Sequence, residues 1–270
     1  MTDLEIRHIA EGDWGALSHQ FLDHNYRQLR SYGLKSAQVV GADSEFIGIY
    51  RGEKLIGLTH VRLKKLPFLP VGIAYIIGGP LLFQEENPSD TPARFRDCLE
   101  ALVEEYTKQR TFVLRIKCAI YPEPINTDLV TAFKDMGFKS LENTDIYRTF
   151  LVNIDRDEDD IRKTLNGKWR NHLNRGVKNE LEVTTGTDAS FFRMFEALFS
   201  QLKDKKGFDV SQDVRFFEEV QDGLEGNDRL FIQVAQKDGV PLAAHVGSYV
   251  SDTAVYLLGA SSAEGNKLKA

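Results

Sequence analysis

One hairpin pattern occurs twice in this chain and narrows the folds open to it. Glu45 to Tyr50 and Leu55 to Leu63 are apolar-rich runs joined by Arg51-Gly52-Glu53-Lys54, and Leu230 to Gln236 and Val240 to Tyr249 are joined by Lys237-Asp238-Gly239. Short runs of this kind, closed by a glycine-bearing turn, pair as antiparallel strands. Aligned on their turns, Ile47-Gly-Ile-Tyr-Arg-Gly-Glu-Lys-Leu-Ile-Gly-Leu and Gln233-Val-Ala-Gln-Lys-Asp-Gly-Val-Pro-Leu-Ala-Ala parallel one another. A chain of 270 residues has room for two domains of ordinary size. The expectation is two similar units in tandem.

The flanking segments extend the pattern. Leu4 to Ile9 alternates as a half-buried strand does, and Asp13 is placed to cap a helix running to about Tyr32. Ile73 to Ile77 is a strand followed by Gly78-Gly79-Pro80. A helix starts at Thr91-Pro92, Phe112 to Ile120 is a strand, Leu129 to Met136 a helix, and Ile146 to Val152 a strand. A second round begins with a long helix over Asp155 to Lys178. It continues with a strand at Leu181 to Thr184, helices over Ser190 to Lys203 and Asp213 to Leu224, the second hairpin, and a strand at Ala254 to Gly259. The fold class expected is α/β with mixed sheets, residues 1–152 forming one unit and 153–270 the other. After Gly259 the sequence turns polar where the first unit goes on to further elements, so the second unit reads as incomplete.

Composition excludes several classes. No apolar stretch approaches the length that spans a bilayer, and Met1-Thr2-Asp3-Leu4-Glu5 is not the start of a secretory signal. Two cysteines, Cys98 and Cys118, form no disulfide framework, which points to a reducing cytoplasm. A formal net charge of −6 argues against nucleic-acid binding through bulk charge. The six histidines show no His-Glu-x-x-His or Cys/His clustering, so no metal site is expected. Gly-x-Ser-x-Gly, Gly-x-Gly-x-x-Gly and the Walker loop are all missing from the sequence.

One segment reverses the acidic balance. Between Arg162 and Lys178 stand six basic residues, Arg162, Lys163, Lys168, Arg170, Arg175 and Lys178, on a predicted helix whose first turn is acidic. Lys163 and Arg170, like Lys168 and Arg175, are seven apart and so share a helix face. Such a cluster suits the phosphates of a nucleotide-linked substrate or an RNA end, or else is a solvated face. Ile161, Leu165, Trp169, Leu173 and Val177 add an apolar stripe.

The same segment carries a resemblance. Thr149-Phe-Leu-Val-Asn-Ile-Asp155, followed by Trp169-Arg-Asn-His-Leu-Asn-Arg-Gly-Val-Lys178, resembles the second-domain opening of FemAB-type aminoacyltransferases. Tyr75-Ile-Ile-Gly-Gly-Pro-Leu81 resembles the family's Y-x-x-x-G-P segment, and Ala254-Val-Tyr-Leu-Leu-Gly-Ala-Ser-Ser262 its Y-x-x-G-A-S strand end. The three occur in the family's order and span most of the chain. The element order also matches the GNAT acyltransferase fold.

The resemblance implies two GNAT-like domains in tandem. The activity it implies is direct transfer of an amino acid from aminoacyl-tRNA to an amine of a UDP-linked or lipid-linked muropeptide, with no bound cofactor. The expected protein is a monomer, cytoplasmic or peripheral at the inner face of the membrane. Phosphate-binding residues would be Lys168, Arg170, Arg175 and Lys178, with Arg30 at the end of the first helix and Lys206 before Gly207-Phe208; Tyr256 would line the cleft. Catalytic residues are not assigned.

The family's R-x-D-P reads Arg115-Ile-Lys-Cys118 here, which removes a carboxylate, and its transition-state lysine would lie beyond Ala270. Two alternatives stay open: an N-acyltransferase using acyl-CoA on an amino sugar or peptide amine, and a non-catalytic module binding a nucleotide-sugar or peptide. Ser262-Ala-Glu-Gly265-Asn-Lys matches only the middle glycine of a coenzyme A loop, and Gln84-Glu-Glu-Asn-Pro88 is acidic.

Overall fold

The computed structural model describes residues 3–84, 90–119, 125–141, 149–206 and 214–270, with the side chains of residues 205 and 206 left aside. The chain divides into two compact units. The first comprises Met1–Lys139, Glu219–Arg229 and Ser248–Val255, and the second comprises Ser140–Glu218, Leu230–Gly247 and Tyr256–Ala270.

The first unit is built on a five-stranded sheet in chain order: β1 (Leu4–His8), β2 (Asp43–Arg51), β3 (Lys54–Lys65), β4 (Gly72–Ile77) and β5 (Phe112–Lys117). Its pairs are antiparallel except β4 with β5, which run parallel because a helical crossover joins them. The hairpin expected at Arg51-Gly52-Glu53-Lys54 is present, with Gly52 at φ +58, a left-handed conformation that glycine adopts freely. The crossover is α3 (Thr91–Leu102), with Pro92 in its first turn, continued by a π-helical turn over Val103–Gln109. Phe95, Cys98, Leu99 and Leu102 face the sheet, where Ile47, Ile49, Ile76 and Tyr106 complete a core of fully buried side chains. Helix α4 (Ile125–Asp135) adds Leu129 and Ala132 to it.

The predicted helix from Asp13 to Tyr32 is instead two helices, α1 (Trp14–Ser18) and α2 (Arg30–Val39). The interruption is polar and local. Asn25 caps a short turn over Tyr26–Gln28 by accepting from Arg27 N at 3.2 Å, and its Nδ2 donates to Gly78 O at 2.7 Å. Asp23 takes the amides of Leu82 (3.0 Å) and Phe83 (3.0 Å). The turn is spent on holding the Gly78-Gly79-Pro80 loop, and a continuous helix would leave those groups unpaired. Arg30 consequently opens the second helix and does not end the first.

The segment Glu219–Arg229 is tied into the first unit by three polar contacts. Ser31 Oγ donates to Val220 O at 2.6 Å, Lys35 pairs with Glu219, and His19 Nε2 lies 3.0 Å from Asp228.

The second unit carries a four-stranded sheet: β6 (Glu182–Gly186), β7 (Phe231–Lys237), β8 (Val240–Val250) and β9 (Thr253–Ser261). The second hairpin is present, with Gln233 opposite His245 and Ala235 opposite Ala243. Helices α7 (Ala189–Lys206) and α8 (Val214–Gln221) supply Phe192, Phe195 and Phe217 to its buried side chains.

The long helix expected over Asp155 to Lys178 is two, α5 (Glu158–Thr164) and α6 (Gly167–Lys178). Leu165 and Asn166 are extended, and Asn166 Oδ1 accepts from Trp169 N at 3.0 Å. An asparagine before glycine is a better helix cap than a helix interior. The strand expected at Ile146 to Val152 is not formed over 149–152, where Phe150 and Leu151 are exposed, and 146–148 lie outside the described residues. The polar sequence after β9 folds into α9 (Ala263–Leu268), capped by Ser262. Among the described residues no helix is long and apolar enough to cross a membrane.

Gln28 is fully buried and satisfies Ile77 O and His60 N through its side chain. Gln28→Ala should therefore lower the unfolding free energy by about 2 kcal/mol, read as a lower denaturation midpoint in urea, because two buried backbone groups lose their partners. An unchanged midpoint would show that the loop does not depend on this side chain.

Candidate functional site

The basic face lies on α6, but not as the sequence spacing arranged it. A helical turn of 100° per residue puts Lys168, Arg175 and Lys178 within one quadrant and Arg170 on the far side. Arg170 reaches back across the helix break, its Nη1 donating to Lys163 O at 3.1 Å. Lys163 itself pairs with Asp160 at 2.7 Å, so the expected Lys163–Arg170 face does not form. All four predicted residues of α6 are exposed, and no ion pair among the described residues engages them. The helix is held near its C-terminal end. Gly176 packs against Lys269 O, and Asn179 Nδ2 donates to Leu268 O at 2.6 Å, tying α6 to the end of α9.

His172 reports the resulting field. Its pKa is depressed below the ordinary histidine value, first by partial burial and then by the charges of Lys269, Lys168 and Arg175. Lys269, Lys168 and Arg175 are thus near enough to the ring to act on it, and no ion pair among the described residues engages them. Like charges gathered in this way raise the local positive potential.

Trp169, on the first turn of α6, also lines a cavity of about 960 Å³ in the second unit. Gln233 of β7, His245 of β8 and Tyr256 of β9 line it too, with Ser262 and Asn266 at its α9 side. His245 and Tyr256 stack with ring centroids 5.4 Å apart and planes 25° from parallel. Burial lowers the His245 pKa, which keeps the ring neutral at pH 7 and able to accept a proton or a hydrogen bond. Tyr256 presents its ring to solvent and folds its hydroxyl over Gly259, where a larger side chain would collide with it. His245 and Gln233 were not singled out from sequence, and strand pairing brings them together; Trp169, read there as part of an apolar stripe, reaches the same cavity from α6.

In the first unit Arg30 lies in the first turn of α2, its charge shared between Glu11 (3.2 Å) and the Phe46 ring, 5.0 Å from the guanidinium carbon. A second row was not anticipated. Arg62, Tyr75 and Arg115 stand opposite one another on β3, β4 and β5. The two guanidinium groups lie 4.7 and 5.0 Å from the Tyr75 ring centre. Arg62 donates to Ser36 O at 3.3 Å and has its pKa lowered by burial; no ion pair among the described residues reaches Arg62 or Arg115. Lys206 closes α7, with its side chain outside the described residues. Among the described residues no cluster of three or more His, Cys, Asp or Glu is arranged to hold a metal ion.

Replacing Lys168 and Arg175 with Ala should raise the His172 pKa towards 6.5 in an NMR titration of the ring protons, since each substitution removes a like charge. A titration that does not move would mean the side chains point away from His172.

Comparison with known proteins agrees with this geometry. Residues 154–270 match a family described as acetyltransferase (GNAT) domain. The chain is 20% identical over 239 residues to lipid II:glycine glycyltransferase of Staphylococcus aureus strain COL, covering 85% of this chain and 55% of that protein. The chain thus spans about half the length of the curated relatives it matches. A crystal structure of FemX superposes with a TM-score of 0.79 at 16% identity, over 98% of this chain and 82% of that one. At such identity the structural likeness is one of fold, and it covers both sheets. With two sheets in succession and a GNAT-domain match over residues 154–270 that includes the basic α5–α6 segment, the chain has the fold of FemX and its second unit is similar to GNAT acetyltransferase domains.

Proposed function

We propose that this chain serves aminoacyl transfer from aminoacyl-tRNA to an amine of a UDP-linked or lipid-linked peptidoglycan precursor. The observation that carries the reading is the cationic side of α6, which no ion pair among the described residues engages, set in a segment that matches the GNAT domain family. Lys168, Arg175 and Lys178 suit the phosphates at the acceptor end of a tRNA, a local contact that the net charge of −6 does not oppose. Arg62 and Arg115 suit the anionic part of the precursor in the first unit.

In the reaction the precursor's amine nitrogen attacks the ester carbonyl, a C–N bond forms, and the C–O bond to the tRNA ribose breaks. The amine's proton is passed to the departing oxygen. No covalent enzyme intermediate is required, so the protein's part is to orient both substrates and to stabilise the oxyanion. The aromatic and amide-lined cavity around Trp169, Gln233 and Tyr256 is of a size to accept the transferred group's end of a substrate. Such a reaction belongs in the cytoplasm, at the inner membrane face when the precursor is lipid-linked.

The acyl-CoA reading has less to rest on. A coenzyme A loop works by offering free backbone amides to pyrophosphate. Here the amide of Gly265 is taken by the hydroxyl of Ser262 at 3.0 Å.

The test supplies aminoacyl-tRNA of several kinds together with UDP-linked and lipid-linked precursor. Mass spectrometry should find the peptide heavier by one amino acid. Failure with every pair, by the chain and by any longer form of the protein, would overturn the proposal. Ala at Lys168, Arg175 and Lys178 together should weaken tRNA binding and flatten its log–log salt dependence by about 2 in slope. Arg170→Ala, on the other side of the helix, should change the slope less than any one of the three.

A further inference from the structure

The β3–β4 connection is built against the rule that loop tips are polar. Leu66-Pro67-Phe68-Leu69-Pro70-Val71 contains no charged or hydrogen-bonding side chain. Phe68 is 105% exposed, meaning that nothing in the protein touches its ring, and Leu66, Leu69 and Val71 are also open to solvent. Ile73 and Val113, paired across β4 and β5, and Val39 and Val40 at the end of α2 continue the exposed apolar surface at this end of the sheet. Lys64 binds that end together by donating to Val40 O and Gly41 O at 2.7 and 2.8 Å.

We propose that this tip inserts into the interface of an anionic lipid bilayer. Four features favour a bilayer over a protein partner. The tip is convex and its phenylalanine stands clear on all sides, a shape that lipid accommodates without a matching pocket. Its backbone is already prepared for an apolar medium: Pro67 and Pro70 have no N–H, Leu66 N donates to Val71 O, Leu69 N donates to Leu66 O, and Pro70 O accepts from Thr111 Oγ1 at 2.6 Å. Phe68 is held at φ 64, a conformation that glycine or asparagine would adopt with less strain, so the side chain is kept there for something other than the turn. Lys64 and Lys65 stand at the base with one carboxylate, Asp43, 3.7 Å from Lys65, leaving one net positive charge at headgroup level.

The proposal is independent of the catalytic one, since it concerns a surface that contains none of the proposed binding residues. The purified chain is centrifuged with vesicles of phosphatidylcholine alone and of phosphatidylcholine mixed equally with phosphatidylglycerol. It should sediment with the mixed vesicles and more weakly with the neutral ones. Phe68→Ser with Leu69→Ser should lower the partition at least about 10-fold while leaving the melting temperature in place, since neither side chain packs in the core. A Phe68→Trp variant carrying Trp169→Phe should blue-shift its fluorescence when mixed vesicles are added. Wild-type protein that stays in the supernatant would overturn the proposal, as would partition that the serine pair leaves unchanged. A wild-type dimer that the serine pair makes monomeric would overturn it too, assigning the tip to a second copy of the chain.

Discussion

The first unit depends on one buried side chain that does the work of a strand neighbour. Gln28 lies between the α1–α2 turn and the sheet, with its amide oxygen on His60 N, its amide nitrogen on Ile77 O, and its own carbonyl accepting from Trp14 Nε1 at 3.1 Å. Glutamine is seldom fully buried, and here every polar end of it is occupied. Through it the end of β4, the middle of β3 and the first helix are fixed to one another. Asp23 and Asn25 extend the arrangement to the Gly-Gly-Pro loop. The helix break that misleads a periodicity reading is the condition for these bonds, because an unbroken helix would keep its backbone to itself.

The second unit uses the same device at its basic segment. Asn166 ends one helix and caps the next, and the break decides which cations act together. In one straight helix Lys163 and Arg170 would share a face. With the chain extended at Leu165 and Asn166, Arg170 turns back to a carbonyl of α5, while Lys168, Arg175 and Lys178 share one quadrant and the first two depress the His172 pKa. Electrostatics of this kind falls off quickly with distance in water, so the rotation of a helix matters more than the number of charges it carries.

Exposed apolar residues meet opposite fates in this chain. On α6, Trp169 is exposed yet borders a cavity that includes aromatic, amide and hydroxyl groups, the mixture expected of a small-molecule site. On the β3–β4 tip, Phe68 borders nothing but solvent, and the amides of Leu66 and Leu69 are already paired within the loop. Similar hydrophobicity therefore points to a ligand in one place and to a lipid surface in the other.

The α/β class, both hairpins and most of the helices that cover them were legible in the sequence, because strand alternation, glycine turns and amphipathic periodicity are local and repeat within a few residues. Lys168, Arg175 and Lys178 were legible as a basic cluster for the same reason. Their separation from Arg170 was not, since it depends on one asparagine preferring a cap to a helix interior. Arg62, Tyr75 and Arg115 are far apart in the chain, and His245 and Tyr256 are on different strands; only the pairing of strands sets them side by side. Local preference thus determined what elements the chain forms, and tertiary pairing decided which side chains meet, because register and helix rotation are fixed by contacts that no single segment contains.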